Sequence, residues 1–184
     1  IDFAKLSLKK AILYCIKHKK FSMFKSRIKF SFYIRINKYN NPQKARCFWQ
    51  NCASVIKNSS QKYDVAISYA QGVPTFYVAE KVNARMKYAW VNVSYKLNSA
   101  EKEFQKKYYD KYNRIIAVSH STKQIFIETF PEYFNNVEVI FDINNPDMIV
   151  KMSNIDSGFN DGFNGVRILT IGRLASQKGY DIAL

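Results

Sequence analysis

The chain carries a short apolar run at residues 64–69, DVAISY, which is followed by Gln71-Gly72 and by Pro74 at the start of a helical pattern. Proline suits the first turn of a helix because its missing N–H has no partner there anyway. The same order of apolar run, polar turn and helical pattern recurs further along the chain. Strands that alternate with helices predict parallel βαβ units. The sequence therefore indicates an α/β, Rossmann-like parallel sheet with flanking helices.

The pattern gives approximate positions for the elements. Strands are predicted at 64–69, 87–93, 114–118, 137–141 and 166–171, and helices from Pro74, over 99–111 with Ser99 as cap, over 119–130, over 146–152 and from Lys178. Before the first strand we expect an amphipathic helix near 4–16 and another that begins at Asn40-Asn41-Pro42, whereas 21–41 alternates aromatic and basic residues without clean periodicity.

A polar stretch divides the chain. Residues 154–165 are rich in Asn, Asp, Ser and Gly and are predicted to be a linker. Residues 1–153 then form one Rossmann-like domain. Residues 166–184 form the first strand, loop and helix of a second one.

Positive charge is concentrated in the first third. Residues 3–63 contain 15 Lys and Arg and no Asp or Glu, while the rest of the chain balances 14 basic against 14 acidic residues. This asymmetry indicates a basic surface for an anionic partner, although solvated helix faces in a lysine-rich chain would give the same count. None of the standard nucleic-acid-binding motifs is present. We therefore expect no nucleic-acid partner and predict that residues 3–63 face an anionic membrane surface.

The remaining composition argues against several classes of protein. Cys15, Cys47 and Cys52 are odd in number and lack CxxC spacing, so we expect reduced, buried thiols rather than disulfides. The two histidines, His18 and His120, are isolated, and we expect no metal site. No apolar run approaches the ~18 residues that a membrane-spanning helix needs.

The loop after the predicted fifth strand combines groups that bind phosphate. Gly172-Arg173 end that strand, and Lys178-Gly179 open a helix. Glycine allows close backbone approach, arginine offers a planar fork, lysine adds a mobile charge and a helix N-terminus adds partial positive charge. Together they suit a diphosphate leaving group. A glycine turn with two solvated cations has the same spacing, and the spacing alone leaves both interpretations open.

Residues 166–181 resemble the strand and loop that open the donor domain of family 4 glycosyltransferases, which are retaining enzymes of the GT-B fold. The family pattern is roughly Gly-Arg-Leu-x-x-x-Lys-Gly, and the chain matches it from Gly172 to Gly179. Residues 113–119, NRIIAVS, and 130–140 also resemble family segments. Residues 64–69 and Ala89-Trp90-Val91 resemble the matching segments of a bacterial subgroup of the family that makes surface polysaccharides. The resemblance covers roughly residues 63–184, with its matches in family order.

This resemblance implies an enzyme, a retaining hexosyltransferase that moves a sugar from a nucleotide-sugar donor to a polysaccharide or lipid-linked acceptor in cell-surface glycan synthesis. The donor diphosphate would be bound by Gly172, Arg173 and Lys178, and the acceptor side would be lined by Gly72, Asn92 and Ser119. No cofactor is implied beyond the nucleotide-sugar co-substrate, and no metal. The implied location is cytoplasmic, peripheral at the inner membrane face.

The chain also departs from the family. Relatives often carry His where it has Asn92, and Asn where it has Asp142. The family's first strand is expected before Ile1, and its paired glutamates, the expected catalytic groups, after Leu184, so the chain alone is expected to be inactive. The alternative function is a non-catalytic remnant, or a basic domain that binds membranes or nucleic acid.

Overall fold

The computed structural model describes residues 7–93, 97–155, 158–159, 161–174 and 178–183. The chain divides between Asp142 and Ile143 into two compact units. The first unit contains helices α1 (Leu8–Lys17), α2 (Phe21–Ile36), α3 (Asn41–Cys52), α4 (Val73–Lys81), α5 (Ser99–Tyr109) and α6 (His120–Thr129), strands β1 (Lys62–Ser68), β2 (Asn83–Val91), β3 (Arg114–Ala117) and β4 (Val137–Val139), and 3₁₀ turns at Ala53–Val55 and Pro131–Asn136. The second unit contains α7 (Pro146–Ser153) and α8 (Tyr180–Ala183).

The four strands form one parallel sheet in the order β1-β2-β3-β4. Lys62 lies opposite Asn83, Ala89 opposite Ile115, and Ala117 opposite Val139. The α/β, Rossmann-like prediction is therefore confirmed, with α4, α5 and α6 as the crossover helices. The second strand begins at Asn83, four residues before the predicted Lys87, because its first half pairs with β1 despite its polar side chains.

One face of the sheet is closely packed against helices. Val91 and Ile115 are buried on this face, but several of its strand side chains are small: Ala66, Ser68, Ala89 and Ala117 are all at most 9% exposed. Large rings from the helices fill the space above them: the core includes Trp49, Phe76, Tyr108, Tyr109 and Phe126. The ring centroids of Phe76 and Tyr108 lie 4.5 Å apart. Contacts of this kind add to the area that is removed from water.

The opposite face of the sheet is more open. Val65 and Ile67 are 47% and 50% exposed, whereas the alternate residues Ala66 and Ser68 are 9% and 1% exposed. On this open face the rings of Tyr69 and Trp90 lie 5.3 Å apart. Parallel sheets usually bury both faces. In the first unit the helices instead cover one face more fully than the other.

The basic first third of the chain forms a helical layer. Helix α1 buries Ala11 and Cys15, both on its predicted apolar stripe. Residues 21–36, which have no clear periodicity, nevertheless form α2, which packs against both α1 and α3. A helix inside such a layer needs no single apolar stripe, because its neighbours contact it from two sides.

The turn between α1 and α2 is a Schellman motif with lysine in the glycine position. The N–H of Lys20 donates to the carbonyl of Cys15 (2.8 Å), and the N–H of Lys19 donates to that of Ile16 (3.1 Å). Lys19 has φ +52°. This left-handed conformation favours glycine, and a residue with a Cβ pays about 1 kcal/mol there.

Two helix starts test the predicted caps. Asn40 accepts a hydrogen bond from the backbone N–H of Gln43, whose side chain accepts from the N–H of Asn40 (both 3.0 Å), so the predicted start of α3 is confirmed. The predicted cap of α5 is wrong by one residue. The side chain of Asn98, not that of Ser99, accepts from the N–H of Glu101 (2.9 Å). Asn98 is the cap because it has the extended backbone conformation that a cap requires.

The second unit differs from its prediction at residues 166–171. These residues form no strand, and Val166, Ile168 and Ile171 are 90%, 90% and 89% exposed. A strand exists through hydrogen bonds to a neighbouring strand, and the described residues of this unit include none. The predicted linker does contain local contacts. Arg167 forms an ion pair with Asp161 and lies 4.7 Å from the ring centroids of Phe159 and Phe163.

The three cysteines are buried and unpaired, as predicted. Burial raises the pKa of each thiol, and raises that of Cys52 to about 11. At neutral pH the reactive thiolate is therefore scarce.

The Schellman turn leads to a stability prediction. We expect Lys19→Gly to raise the free energy of unfolding by up to ~1 kcal/mol, because it removes the cost of a left-handed Cβ. The matched control is Lys17→Gly, inside the last turn of α1, which should lower it by about 0.5–1 kcal/mol. Urea unfolding measures both. Equal destabilisation by the two variants would contradict the assigned turn.

Candidate functional site

The predicted acceptor residues lie at the carboxyl ends of neighbouring strands. Gly72 follows β1, Asn92 follows β2 and Ser119 follows β3. In open α/β sheets, ligands bind outside the carboxyl ends of the strands. The structure therefore places Gly72, Asn92 and Ser119 along one edge of one sheet, as the strand pattern predicts.

Gln71 connects the first two of these loops. Its side-chain oxygen Oε1 accepts hydrogen bonds from the backbone N–H groups of Asn92 (3.2 Å) and Val93 (2.9 Å). The Asn92 side chain donates in return to the carbonyl of Tyr69 (3.3 Å). The loops after β1 and β2 are thus tied together in both directions. The sequence marks Gln71 only as a polar residue after a strand, so its bridging role is visible only in the structure.

Gly72 is required by geometry at the start of α4. Its φ is +83°, and a Cβ built at this position would lie 3.1 Å from the Cβ of Ala45 on α3. A side chain would be strained in this conformation and would press on α3. The glycine therefore lets the loop after β1 pass close to α3.

Ser119 caps α6. Its Oγ accepts a hydrogen bond from the backbone N–H of Thr122 (3.1 Å), and it lies 2.9 Å from the Thr122 hydroxyl. A cap of this kind is worth about 1 kcal/mol to a helix. The hydroxyl of Ser119 thus has a structural role at the edge where the acceptor side is predicted.

A small recess opens beside these loops. It has a volume of about 20 Å³, close to the space of one water molecule. Gln71, Val93, Gln105 and Thr122 contribute to its walls. Gly72, Asn92 and Ser119 do not line it.

The predicted donor residues lie in the second unit. A Cβ built on Gly172 would lie 3.6 Å from Cγ of Lys178 and 2.5 Å from the hydroxyl oxygen of Tyr180. Gly172 and Lys178 of the motif therefore lie next to each other on one small surface, and the Tyr180 hydroxyl lies beside both of them. Arg173 is exposed. Residues 175–177 of this loop lie outside the described residues.

Helix α2 presents a mixed apolar and basic stripe to solvent. A subset of its exposed residues recurs at helical spacing on one side and comprises Phe21, Lys25, Ile28, Lys29, Phe32 and Ile36; Ser22, Tyr33 and Arg35 are exposed as well. Phe21, Phe32 and Ile36 are each at least 60% exposed. This α2 stripe places large apolar side chains and lysines on the same side of the helix.

Among the residues that the structure describes, no three His, Cys, Asp or Glu side chains are grouped so that they would hold a metal ion. Within the same ranges, no helix combines the length and the apolar character needed to cross a bilayer.

Comparisons with models of protein families, with curated proteins and with solved structures found no match to this chain. The class of the protein is therefore defined by its fold, an α/β unit with a parallel, Rossmann-like sheet.

The Gln71 bridge leads to a prediction. We expect Gln71→Ala to lower the free energy of unfolding by about 1 kcal/mol and to speed hydrogen exchange at the amides of Asn92 and Val93, because both N–H groups lose their acceptor. Gln71→Glu keeps an acceptor oxygen and should retain most of the protection. Urea unfolding and amide exchange measure the two effects. Unchanged exchange at both amides in the alanine variant would refute the bridge.

Proposed function

We propose that the intact protein is a retaining, nucleotide-sugar-dependent glycosyltransferase that acts on a polysaccharide or lipid-linked acceptor. The observation that carries the proposal is the shared surface of Gly172 and Lys178 in a unit separate from the parallel sheet. This arrangement supports a donor loop on one unit and an acceptor edge on the other.

The chemistry of the donor loop follows from its charges. Transfer of a sugar leaves negative charge on the departing diphosphate, and fixed positive groups stabilise that charge. Arg173 would bind phosphate oxygens through its planar fork, and Lys178 would add a point charge. Gly172 would let the backbone approach the phosphates, since glycine carries no side chain of its own.

The acceptor edge supplies weaker, orienting groups. The part of the Asn92 amide that does not bond to Tyr69 can bond to a hydroxyl group. Ser119 would help to shape the acceptor edge beside Gly72 and Asn92 rather than bind the acceptor, because its hydroxyl group already caps α6.

We also propose that the protein works at an anionic membrane surface, on the cytoplasmic side, and that the α2 stripe makes the contact. Lysines beside an anionic leaflet contribute about 1 kcal/mol each. Exposed rings such as Phe21 and Phe32 add apolar insertion. The composition of the α2 stripe favours a membrane over a nucleic acid as the partner. Its apolar residues are aliphatic as well as aromatic, and they form no stacking platform for bases.

The donor assignment is tested by Arg173→Ala and Lys178→Ala in the intact protein. Each variant loses a charge-assisted contact of about 1.5–3 kcal/mol, so kcat/KM for the donor should fall about 10- to 150-fold. Lys151→Ala, an exposed lysine on α7 of the same unit, is the control and should leave kcat/KM unchanged. Turnover is measured with a panel of nucleotide sugars. Wild-type kinetics in both test variants would reject the assignment.

The membrane assignment is tested by Lys25→Glu combined with Lys29→Glu. Co-sedimentation with anionic vesicles should weaken at least about 30-fold, since about 2 kcal/mol of attraction is lost. Lys102→Glu with Lys107→Glu on α5 makes the same change in net charge away from α2, and should weaken it far less. Equal binding of the wild type to neutral and anionic vesicles, or tighter binding to single-stranded nucleic acid than to anionic vesicles, would end the proposal.

A further inference from the structure

A large groove lies at the inner end of the helical layer. Its volume is about 1210 Å³, larger than most pockets that hold small molecules. The walls come from α1, from the turn before α2, from the first turn of α2, from the end of α3 with the 3₁₀ turn after it, and from Tyr77 of α4. All of these belong to the first unit.

The interior of this groove is apolar. Met23, Phe48, Val55 and Ile56 line it and are half-buried. Cys52 lies behind them and is 1% exposed. A surface of this composition binds hydrocarbon, because the removal of apolar surface from water lowers the free energy.

The rim of the groove is positively charged. Lys19, Lys20 and Lys57 lie there and are exposed, and no carboxylate is among the lining residues. The ammonium of Lys20 donates a hydrogen bond to the hydroxyl of Tyr14 (2.9 Å) and lies 4.8 Å from the centroid of its ring. These contacts hold one of the charges at the mouth.

The backbone keeps two lysines at this rim at a cost. The Schellman turn places Lys19 in the left-handed region, where glycine would be more favourable. Strain that is retained in a native structure points to a use for the residue that bears it. Here the strained turn would serve to direct the charged side chains of Lys19 and Lys20 toward the opening of the groove.

We propose that this groove binds a single anionic phospholipid, with its phosphate at the lysine rim and the start of an acyl chain in the apolar interior. The complementarity is in two parts: three cations face the phosphate and an apolar cleft faces the chain. A nucleic acid matches only the first part. Phe21 belongs both to this groove and to the α2 stripe, so the groove lies where a membrane would present its lipids. The site is separate from the donor loop and does not depend on sugar transfer.

The test uses soluble, monomeric lipids, so that it does not depend on vesicle binding. The whole chain is titrated calorimetrically with dihexanoyl phosphatidylglycerol, with dihexanoyl phosphatidylcholine and with inorganic phosphate. We expect the anionic lipid to bind at least about tenfold more tightly than either of the others. Each additional methylene that enters the groove should tighten binding by about fourfold.

Three test variants and one control variant locate the site. Lys20→Gln with Lys57→Gln should weaken binding of the anionic lipid at least about tenfold, whereas Lys9→Gln with Lys10→Gln, on the exposed side of α1, should change it less than about twofold. Ser22→Trp places a ring in the groove from an exposed wall position and should abolish binding. Lys19→Gly should weaken binding while the protein becomes more stable, a combination that misfolding cannot produce.

The inference is overturned if the two lipids bind equally, or if phosphate alone binds as tightly as the anionic lipid. It is also overturned if Ser22→Trp binds like the wild type while it remains folded by circular dichroism. Failure of vesicle binding with intact binding of the monomeric lipid would reject the membrane proposal alone, and loss of donor turnover would leave both untouched.

Discussion

The first unit depends on the fit between small strand side chains and large helix rings on one face of the sheet. Ala89 and Ala117 are fully buried, and the space that they leave is filled by Trp49, Phe76 and Tyr109. Close packing of this kind tolerates few voids, so a larger strand residue would displace a ring. The polar ends of buried rings find hydrogen-bond partners, as when the Tyr112 hydroxyl donates to the buried carbonyl of Thr75 (2.6 Å).

The same packing determines where the candidate site lies. Helices that approach the sheet closely bring α3 near the start of α4, where Gly72 leaves room beside Ala45. The loops after β1 and β2 then end at fixed points, and Gln71 joins them. Rigid elements hold functional groups more precisely than free loops do. The carboxyl edge is therefore a preorganised surface, even though its recess is small.

The helical layer combines strong positive charge with a tight connection to the sheet unit. Self-repulsion among basic residues opposes compaction, so apolar contacts must hold the layer. Ala11 and Cys15 are buried in it, and Arg46 of α3 forms an ion pair with Glu101 of α5 (2.7 Å), which is 2% exposed. A buried pair costs desolvation and specifies geometry more than it adds stability. An arginine of the acid-free segment thus pairs with a carboxylate of a crossover helix in the same unit.

The sequence by itself determined the parallel α/β class, since apolar runs such as 64–69 alternate with helical patterns, and it determined the buried cysteines and the start of α3, because these depend on local spacing and capping. The strand pattern also placed Gly72, Asn92 and Ser119 after successive strands, where the structure has them. Helix α2, the Gln71 bridge, the groove and the exposed, unpaired run at 166–171 were decided only by the tertiary structure. Each of them depends on which surfaces meet: α2 gains helical order from two neighbours, a bridge needs two loops distant in sequence, and a strand needs a partner strand that local sequence does not contain.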